Sequence, residues 1–389
     1  MYDAIVVGAR CAGAPTAMLL ARKGYRVLLL DRDRFPSDMG QSTHLIHPLG
    51  AAHLRDWGVL PQIAARAAPF TGWRVDLHGT VLQGAPPAVA GCDDSYGPRR
   101  YLLDSVLAEA AVAAGAEFRD GARVAGLVEG DGRVAGVVIA GTGGRRQAER
   151  ARLVIGADGP NSVVARSVGA KESLCEPIVQ SNIWSYWEGI ALDHVRLYIR
   201  EHKGAFAFPA SDGTVLVAAN LMHDEFVAAR HDREAAFLAR VDEVAPDLRA
   251  MLPGAKRVEE FHGGCTRAFV REAAGPGWAL TGDAGMKKDP VTAQGISTAF
   301  RCAEMLAGAV DDGLSGRRPL DEALGGYHEA RDDWLLPYYH FTAQLARFAR
   351  PSESLAAYYR RIQDDPGETA RLFGAVTLTH SPEDVLPLA

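Results

Sequence analysis

The chain reads as an α/β fold: a parallel-sheet dinucleotide-binding unit, an antiparallel sheet inserted into it, and a helical C-terminal region. Three observations carry this reading. The N-terminus alternates strand and helix signals around a glycine-rich turn. Residues 178–222 switch to short alternating strands. From Asp321 to the end the pattern is helical.

Residues 3–8 read Asp-Ala-Ile-Val-Val-Gly, a β-branched apolar run suited to a buried strand. Gly8, Ala9, Arg10, Cys11, Ala12 and Gly13 follow and lead into a helix over Ala14–Lys23. Val27–Leu30 is a second apolar strand, ending in Asp31. Strand, tight turn, helix, strand and terminal acid make a Rossmann-like fingerprint. Gly8 permits the sharp turn, and Gly13 lets the helix pack close on the strand. The helix N-terminus then presents unpaired N–H groups to a pyrophosphate. Asp31 stands roughly 20 residues on, where a carboxylate accepts hydrogen bonds from ribose hydroxyls. Arg10 replaces the middle glycine of the motif. The bland alternative is an ordinary βαβ turn whose glycines serve geometry alone.

Further along, Leu54–Leu60 and Leu103–Ala114 carry apolar residues at helical spacing. Val124–Val128 and Val134–Ile139 read as a hairpin around Asp131-Gly132, and Ala151–Gly156 as another buried strand. In the inserted sheet the predicted strands are Ile183–Trp187, Val195–Ile199, Ala205–Phe208 and Val215–Leu221, with a turn at Ser211-Asp212-Gly213. A helix is predicted over about Glu225–Val244, ended by Pro246. Trp278–Thr281 is a buried strand, and a long helix begins near Gly295. Pro337, Pro351 and Pro366 are expected breaks in the C-terminal helices.

The 389 residues allow one large or two modest domains. With 48% hydrophobic and 23% charged residues, the composition is that of a globular protein. A net charge of -6 gives no basic footprint for nucleic acid. No apolar run reaches about 18 residues, so no membrane span is expected. The first strand starts almost at residue 1, leaving no room for a signal peptide. The five cysteines, Cys11, Cys92, Cys175, Cys265 and Cys302, are scattered and never spaced as Cys-x-x-Cys. This fits a reducing cytoplasm and points to no disulfide and no metal site.

Three more motifs follow the fingerprint in order. Arg100-x-x-Leu103-Asp104-x-x-Leu107 opens a helix, Ala157-Asp158-Gly159-Pro160 closes a strand, and Gly282-Asp283-Ala284 precedes Asp289-Pro290 and Gly295-Ile296. As an ordered set over roughly residues 2–330, these resemble the FAD-dependent monooxygenases of the para-hydroxybenzoate hydroxylase type. Geranylgeranyl reductases and flavin-dependent halogenases share that frame. The resemblance implies a Rossmann-like FAD-binding domain formed by residues 1–75, 98–170 and 262–330. It implies a substrate domain of residues 76–97 and 171–261, with residues 331–389 as a helical C-terminal region. A nicotinamide Rossmann enzyme has no need of the Gly282-Asp283 element, so the tightly held dinucleotide is expected to be non-covalent FAD.

By the same resemblance, Gly8 and Gly13 lie under the pyrophosphate. Asp31, with Arg32 beside it, holds the adenosine ribose. Arg100 contacts the FAD backbone and Asp283 the ribityl chain. Asp158 supports the cofactor fold and the path of an external nicotinamide; on its own, Asp158-Gly159 is also simply a turn. Pro290, Gly295 and Ile296 set a loop and helix N-terminus beside the isoalloxazine, where amides stabilise negative charge. Gly285-Met286-Lys287-Lys288 and Thr292 depart from the usual family pattern of this loop.

The expected chemistry is hydroxylation or epoxidation by an oxygen adduct of the reduced flavin, in a dry pocket, on an apolar or aromatic small molecule of secondary metabolism. Electrons come from NADPH or NADH, or as reduced flavin from a separate reductase. Trp184, Tyr186, Phe206 and Phe208 are the pocket candidates, since each pair shares a strand face; they read equally as sheet core. His44 and His47 are candidates for a general base or phenol-orienting group, or are structural. Halogenase chemistry is not expected: no lysine occurs between Lys23 and Lys171, and Ile183–Trp187 is not the Trp-x-Trp-x-Ile-Pro motif. Reduction of isoprenoid-type double bonds and a non-redox FAD-binding partner role are the alternatives.

Overall fold

The computed structural model describes residues 1–141 and 145–386. Its first sheet orders strands Ala274–Gly275, Trp278–Leu280, Arg146–Gly156, Tyr2–Val7, Val27–Leu30 and Glu117–Arg119. Tyr2–Val7 pairs in parallel with both Val27–Leu30 and Arg146–Gly156, with Ala4 opposite Val27 and Leu153. Helices cover its central strands, which is why these strands are continuous apolar runs rather than alternating ones. The hairpin Val124–Gly130/Arg133–Ala140 joins this sheet through the outer half of Arg146–Gly156. The core between this sheet and its helices holds Ala4, Val6, Leu29, Leu103, Leu153 and Phe300.

The second sheet runs Lys256–Arg257, Gln180–Glu188, Val215–Met222, Lys203–Pro209, His194–Arg200, Gly72–Leu77 and Thr80–Gly84, with His262–Cys265 also on Gln180–Glu188. It is antiparallel except where Gly72–Leu77 lies parallel to His194–Arg200. The hairpin Gly72–Leu77/Thr80–Gly84 was not read from the sequence. The expected domain boundary at 75/76 falls within its first strand. The sheet's two faces are separate cores. Trp184, Tyr186 and Phe208 face the C-terminal helices, and Trp187 faces the helix Arg233–Val244. A small sheet of Met286–Lys287, Ala268–Arg271 and Glu172–Glu176 fixes the chain after Asp283.

Several helix expectations need correction. The helix expected over Leu54–Leu60 is Pro48–Asp56, followed by Leu60–Ala64. Pro48 suits a first helical position, and Gly58 at φ +80° ends the run. The helix expected over Glu225–Val244 divides into His223–Ala228 and Arg233–Val244. Asp232 causes the division, its side chain accepting from Ala235 N as a cap. Pro337 is not a break, because the helix Leu320–Leu345 runs through it. One lost backbone bond is outweighed there by the packing of Leu335, Tyr338, Tyr339 and Phe341. Pro366 starts the helix Pro366–Val376 instead of interrupting one. The end of the predicted C-terminal helical region, residues 387–389, lies outside the described residues. No helix among the described residues is long and apolar enough to cross a membrane.

Candidate active site

The fingerprint turn is too tight for side chains. A Cβ on Gly8, which sits at φ +102°, would lie 2.4 Å from the Ala157 carbonyl oxygen. One on Gly13 would lie 1.7 Å from the Gly8 carbonyl oxygen. The helix Gly13–Arg22 has no side-chain cap; Ala14 N and Thr16 N donate to the Arg10 and Ala12 carbonyls and Pro15 has no N–H, so of this first turn only the Gly13 N–H is left without an acceptor. Asp31 is buried and accepts from Ala9 N at 2.7 Å and Asp33 N at 2.9 Å, which ties the strand end to the turn. Burial raises its pKa, and the two N–H bonds pull it back. Arg32 points to solvent, 3.8 Å from Asp33.

Arg10, in place of the middle glycine, reaches Asp104 at 2.6 Å, Asp33 at 3.1 Å and the Ser37 hydroxyl at 2.9 Å. Arg100 donates twice to Asp104 Oδ1, at 3.1 and 2.9 Å. A fully buried carboxylate therefore sits between two guanidiniums. Sequence reasoning saw Arg100 but not Asp104's role; the i, i+4 spacing Arg100/Asp104 was the available signal.

The Gly282–Ala284 turn closes the groove. A Cβ on Gly282 would stand 2.7 Å from Ala12 Cβ, so this turn abuts the fingerprint helix. It brings Asp283 close enough for its charge to act on Arg100, and Asp283 also accepts from Lys287 Nζ. Nearby, Asp158 accepts from Val163 N at 2.6 Å with one oxygen, while its other oxygen and the Thr281 hydroxyl are buried without partners. Desolvation raises the Asp158 pKa.

Beyond the turn, Asp289 caps Val291 N at 3.0 Å, and its acid is pushed up to about 7 by burial. Exposed Pro290 opens the turn Pro290–Thr292, Ala293 takes φ +52°, and the helix Gly295–Leu314 begins without a side-chain cap. Gly295 is exposed and Ile296 buried. Lys288 donates to Gln294 Oε1 at 2.5 Å and Thr298 Oγ1 at 3.1 Å, and burial brings its pKa down to about 7. Uncapped helix starts, tight glycine turns and orphaned polar atoms fit an extended dinucleotide laid from Asp31 to Ile296.

On the second sheet, His44 Nε2 is 2.7 Å from the Tyr186 hydroxyl, with the two rings stacked at 5.6 Å. His44 also meets Phe208 edge-on at 6.2 Å, and Phe206 stacks on Phe208 at 6.2 Å. Trp184 stacks on His262 at 5.7 Å. Arg99 lies 4.0 Å over the Tyr186 ring and pairs with Asp38 and Glu259, each at 2.7 Å. Burial, with the Arg99 charge behind it, brings the His44 pKa down to about 3, so the ring is neutral. His47 takes a different place. Its Nε2 donates to the Thr292 carbonyl at 2.8 Å, its ring meets Trp73 at 5.5 Å, and burial brings its pKa down to about 4. His44 thus belongs to the aromatic sheet face and His47 to the loop before the long helix. Arg99 and Trp73 were given no role from the sequence, and Thr292 only marked a departure from the family loop. Only the pairing of distant elements puts them here.

Helices Glu353–Ile362 and Pro366–Val376 cover this face through Tyr359, Ile362, Leu372 and Phe373. The Gln294 amide donates to the Val376 carbonyl at 2.9 Å, linking the cover to the loop.

Comparison with known proteins agrees with this construction. A digeranylgeranylglycerophospholipid reductase of Methanosarcina acetivorans is 28% identical over 340 residues, 85% of this chain and 80% of that protein. The 6-methylpretetramide 4-monooxygenase of Streptomyces rimosus is 30% identical over 332 residues, 82% of this chain and 77% of that one. The flavin-dependent brominase Bmp2 has the same fold, with a TM-score of 0.82 at 18% identity, covering 98% of this chain and 94% of its own. The profile described as "FAD binding domain" matches residues 1–335. The chain therefore belongs to the FAD-binding-domain family, and it is an FAD-dependent oxidoreductase.

Proposed function

We propose that this enzyme is a monooxygenase that inserts one oxygen atom into an apolar, aromatic or polycyclic small molecule. The observation that carries the reading is the covered aromatic face holding a neutral histidine–tyrosine pair, His44 and Tyr186, beside the groove. Non-covalent FAD supplies the redox chemistry and the activation of molecular oxygen. In this reading Gly8 and Gly13 admit the pyrophosphate, Asp31 holds the ribose, Arg100 contacts the FAD backbone and Asp283 the ribityl chain. Asp158 supports the groove floor. Pro290, Gly295 and Ile296 set amides at the ring. Arg32, exposed, is left outside the contact set.

Trp184, Tyr186, Phe206 and Phe208 line the substrate side, and the C-terminal helices exclude water. His44 Nε2 accepts a hydrogen bond from the Tyr186 hydroxyl, which leaves the Tyr186 oxygen to accept from a substrate hydroxyl. His47 holds the loop through the Thr292 carbonyl. One oxygen atom enters the product and the other leaves as water. The two electrons come from NADPH or NADH, or from reduced flavin delivered by a separate reductase. The setting is cytoplasmic secondary metabolism. The 30% identity to a monooxygenase supports this reading.

The test incubates FAD-loaded enzyme with reduced nicotinamide, isotopically heavy oxygen and polycyclic phenols. One heavy oxygen atom per product molecule is expected. The similarity to reductases supports a second reading, hydrogenation of isoprenoid-type double bonds. A product formed without oxygen and two hydrogens heavier would establish it and remove the first.

A further inference from the structure

Three buried polar atoms beside the Pro290–Thr292 loop have no partner among the described residues: His47 Nδ1, Trp73 Nε1 and Thr292 Oγ1. Their residues form one cluster. The His47 and Trp73 rings are 5.5 Å apart, and His47 Nε2 lies 2.8 Å from the Thr292 carbonyl oxygen. Exposure is 0% for His47 and 4% for each of the others. Buried side-chain polar atoms without partners are rare in native proteins, and three on residues that adjoin through His47 point to something polar that completes them.

The hydrogen-bond sense of each atom follows from chemistry. A carbonyl only accepts, so His47 carries its proton on Nε2. Burial keeps the ring neutral, and Nδ1 is then a lone pair. The indole Nε1–H only donates. The Thr292 hydroxyl does either. Trp73 also packs at 5.5 Å against Phe373 of the covering helix Pro366–Val376, so the cluster sits where the sheet, the loop and the cover meet.

We propose that His47, Trp73 and Thr292 form the polar anchor of the substrate pocket and select an aromatic molecule carrying a hydroxyl and a carbonyl on one edge. The hydroxyl donates to His47 Nδ1 and the carbonyl oxygen accepts from Trp73 Nε1. Thr292 completes whichever oxygen is nearer. The two substrate groups are not on adjacent carbons, because adjacent groups satisfy each other. Binding shifts the Phe373 ring away from Trp73. This rests on the sheet face being the substrate side, as proposed above.

The experiment titrates three probes into the oxidised, FAD-loaded enzyme without nicotinamide, read by flavin absorbance and tryptophan fluorescence. They are 3-acetyl-1-naphthol, 1-naphthol without the carbonyl, and 2-acetylnaphthalene without the hydroxyl. The parent is expected to bind the first about tenfold tighter than either control, as one net hydrogen bond allows. Trp73→Phe should reduce the preference over 1-naphthol to about twofold while keeping the preference over 2-acetylnaphthalene. Thr292→Val, which keeps the shape, should weaken 3-acetyl-1-naphthol several-fold, and it decides the matter if Trp73→Phe does not fold. Equal binding of all three probes, or binding of none, overturns the proposal. So does a Trp73→Phe enzyme that loses FAD yet keeps the full probe preference, since the indole then serves the cofactor. No turnover is involved. Failure of oxygen insertion would therefore leave the anchor standing, and loss of the preference would leave oxygen insertion standing.

Discussion

Replacing Gly13 with alanine is expected to weaken FAD binding and the fold together, although the position is helical. In an exposed helix interior, Gly→Ala gains about 1 kcal/mol from propensity. Here the new Cβ would lie 1.7 Å from the Gly8 carbonyl oxygen, 2.9 Å from its carbon and 3.0 Å from Ala157 Cβ. The first distance is roughly half a normal contact. All three neighbours are backbone or strand-end atoms with no rotamer to yield. The helix Gly13–Arg22 must therefore move off the strand Tyr2–Val7 by more than 1 Å, which takes its first N–H groups out of register with the turn. Overpacking of this kind costs about 1–3 kcal/mol and more at rigid sites, which exceeds the propensity gain. Gly24→Ala is the control. It sits at φ +89° with nothing within 4 Å of its Cβ, so it pays only backbone strain, about 1 kcal/mol. The assay is urea denaturation of both variants with the flavin-to-protein ratio measured on the same samples. If Gly13→Ala keeps full flavin content and unfolds no earlier than Gly24→Ala, the close-approach argument is wrong.

Two further outcomes follow from the geometry. Asp283→Ala should lower FAD affinity about ten- to a hundredfold, the range of one charge-assisted hydrogen bond, while circular dichroism stays that of the parent; unchanged flavin occupancy would remove this carboxylate from the site. For pH, the His44 pKa of about 3 lies below the unfolded value near 6.5, so its contribution is complete above pH 6.5 and is lost as pH falls toward 3. The stability difference between parent and His44→Asn should then shrink by about 1.4 kcal/mol per pH unit from pH 6 to 4. Measuring the difference cancels Asp289, whose raised pKa acts in the opposite sense in this window. A constant difference would show that His44 is not held neutral.

The sequence by itself determined the parallel sheet and the fingerprint turn, while the choice of FAD as the dinucleotide came from the resemblance of its ordered motifs to a known family. Those signals are local: apolar runs of strand length, glycines at turn spacing, and an acid at the end of Val27–Leu30. Strand alternation likewise put Trp184 and Tyr186 on one face and Trp187 on the other. Local patterns misled where a nearby competitor decided the outcome. The Asp232 cap divided one helix, and tertiary packing carried another through Pro337. Only the tertiary structure joined residues far apart in sequence. It set His44 against Tyr186, placed His47 between Trp73 and the Thr292 carbonyl, and buried Asp104 between Arg10 and Arg100. The hairpin Gly72–Leu77/Thr80–Gly84 stayed hidden because its pairing with His194–Arg200 spans more than a hundred residues. The strand Val195–Ile199 was legible from its own alternation, but nothing in it names Gly72–Leu77 as its neighbour. The chemistry of the pocket, unlike its cofactor fold, is therefore written in contacts and not in spacing.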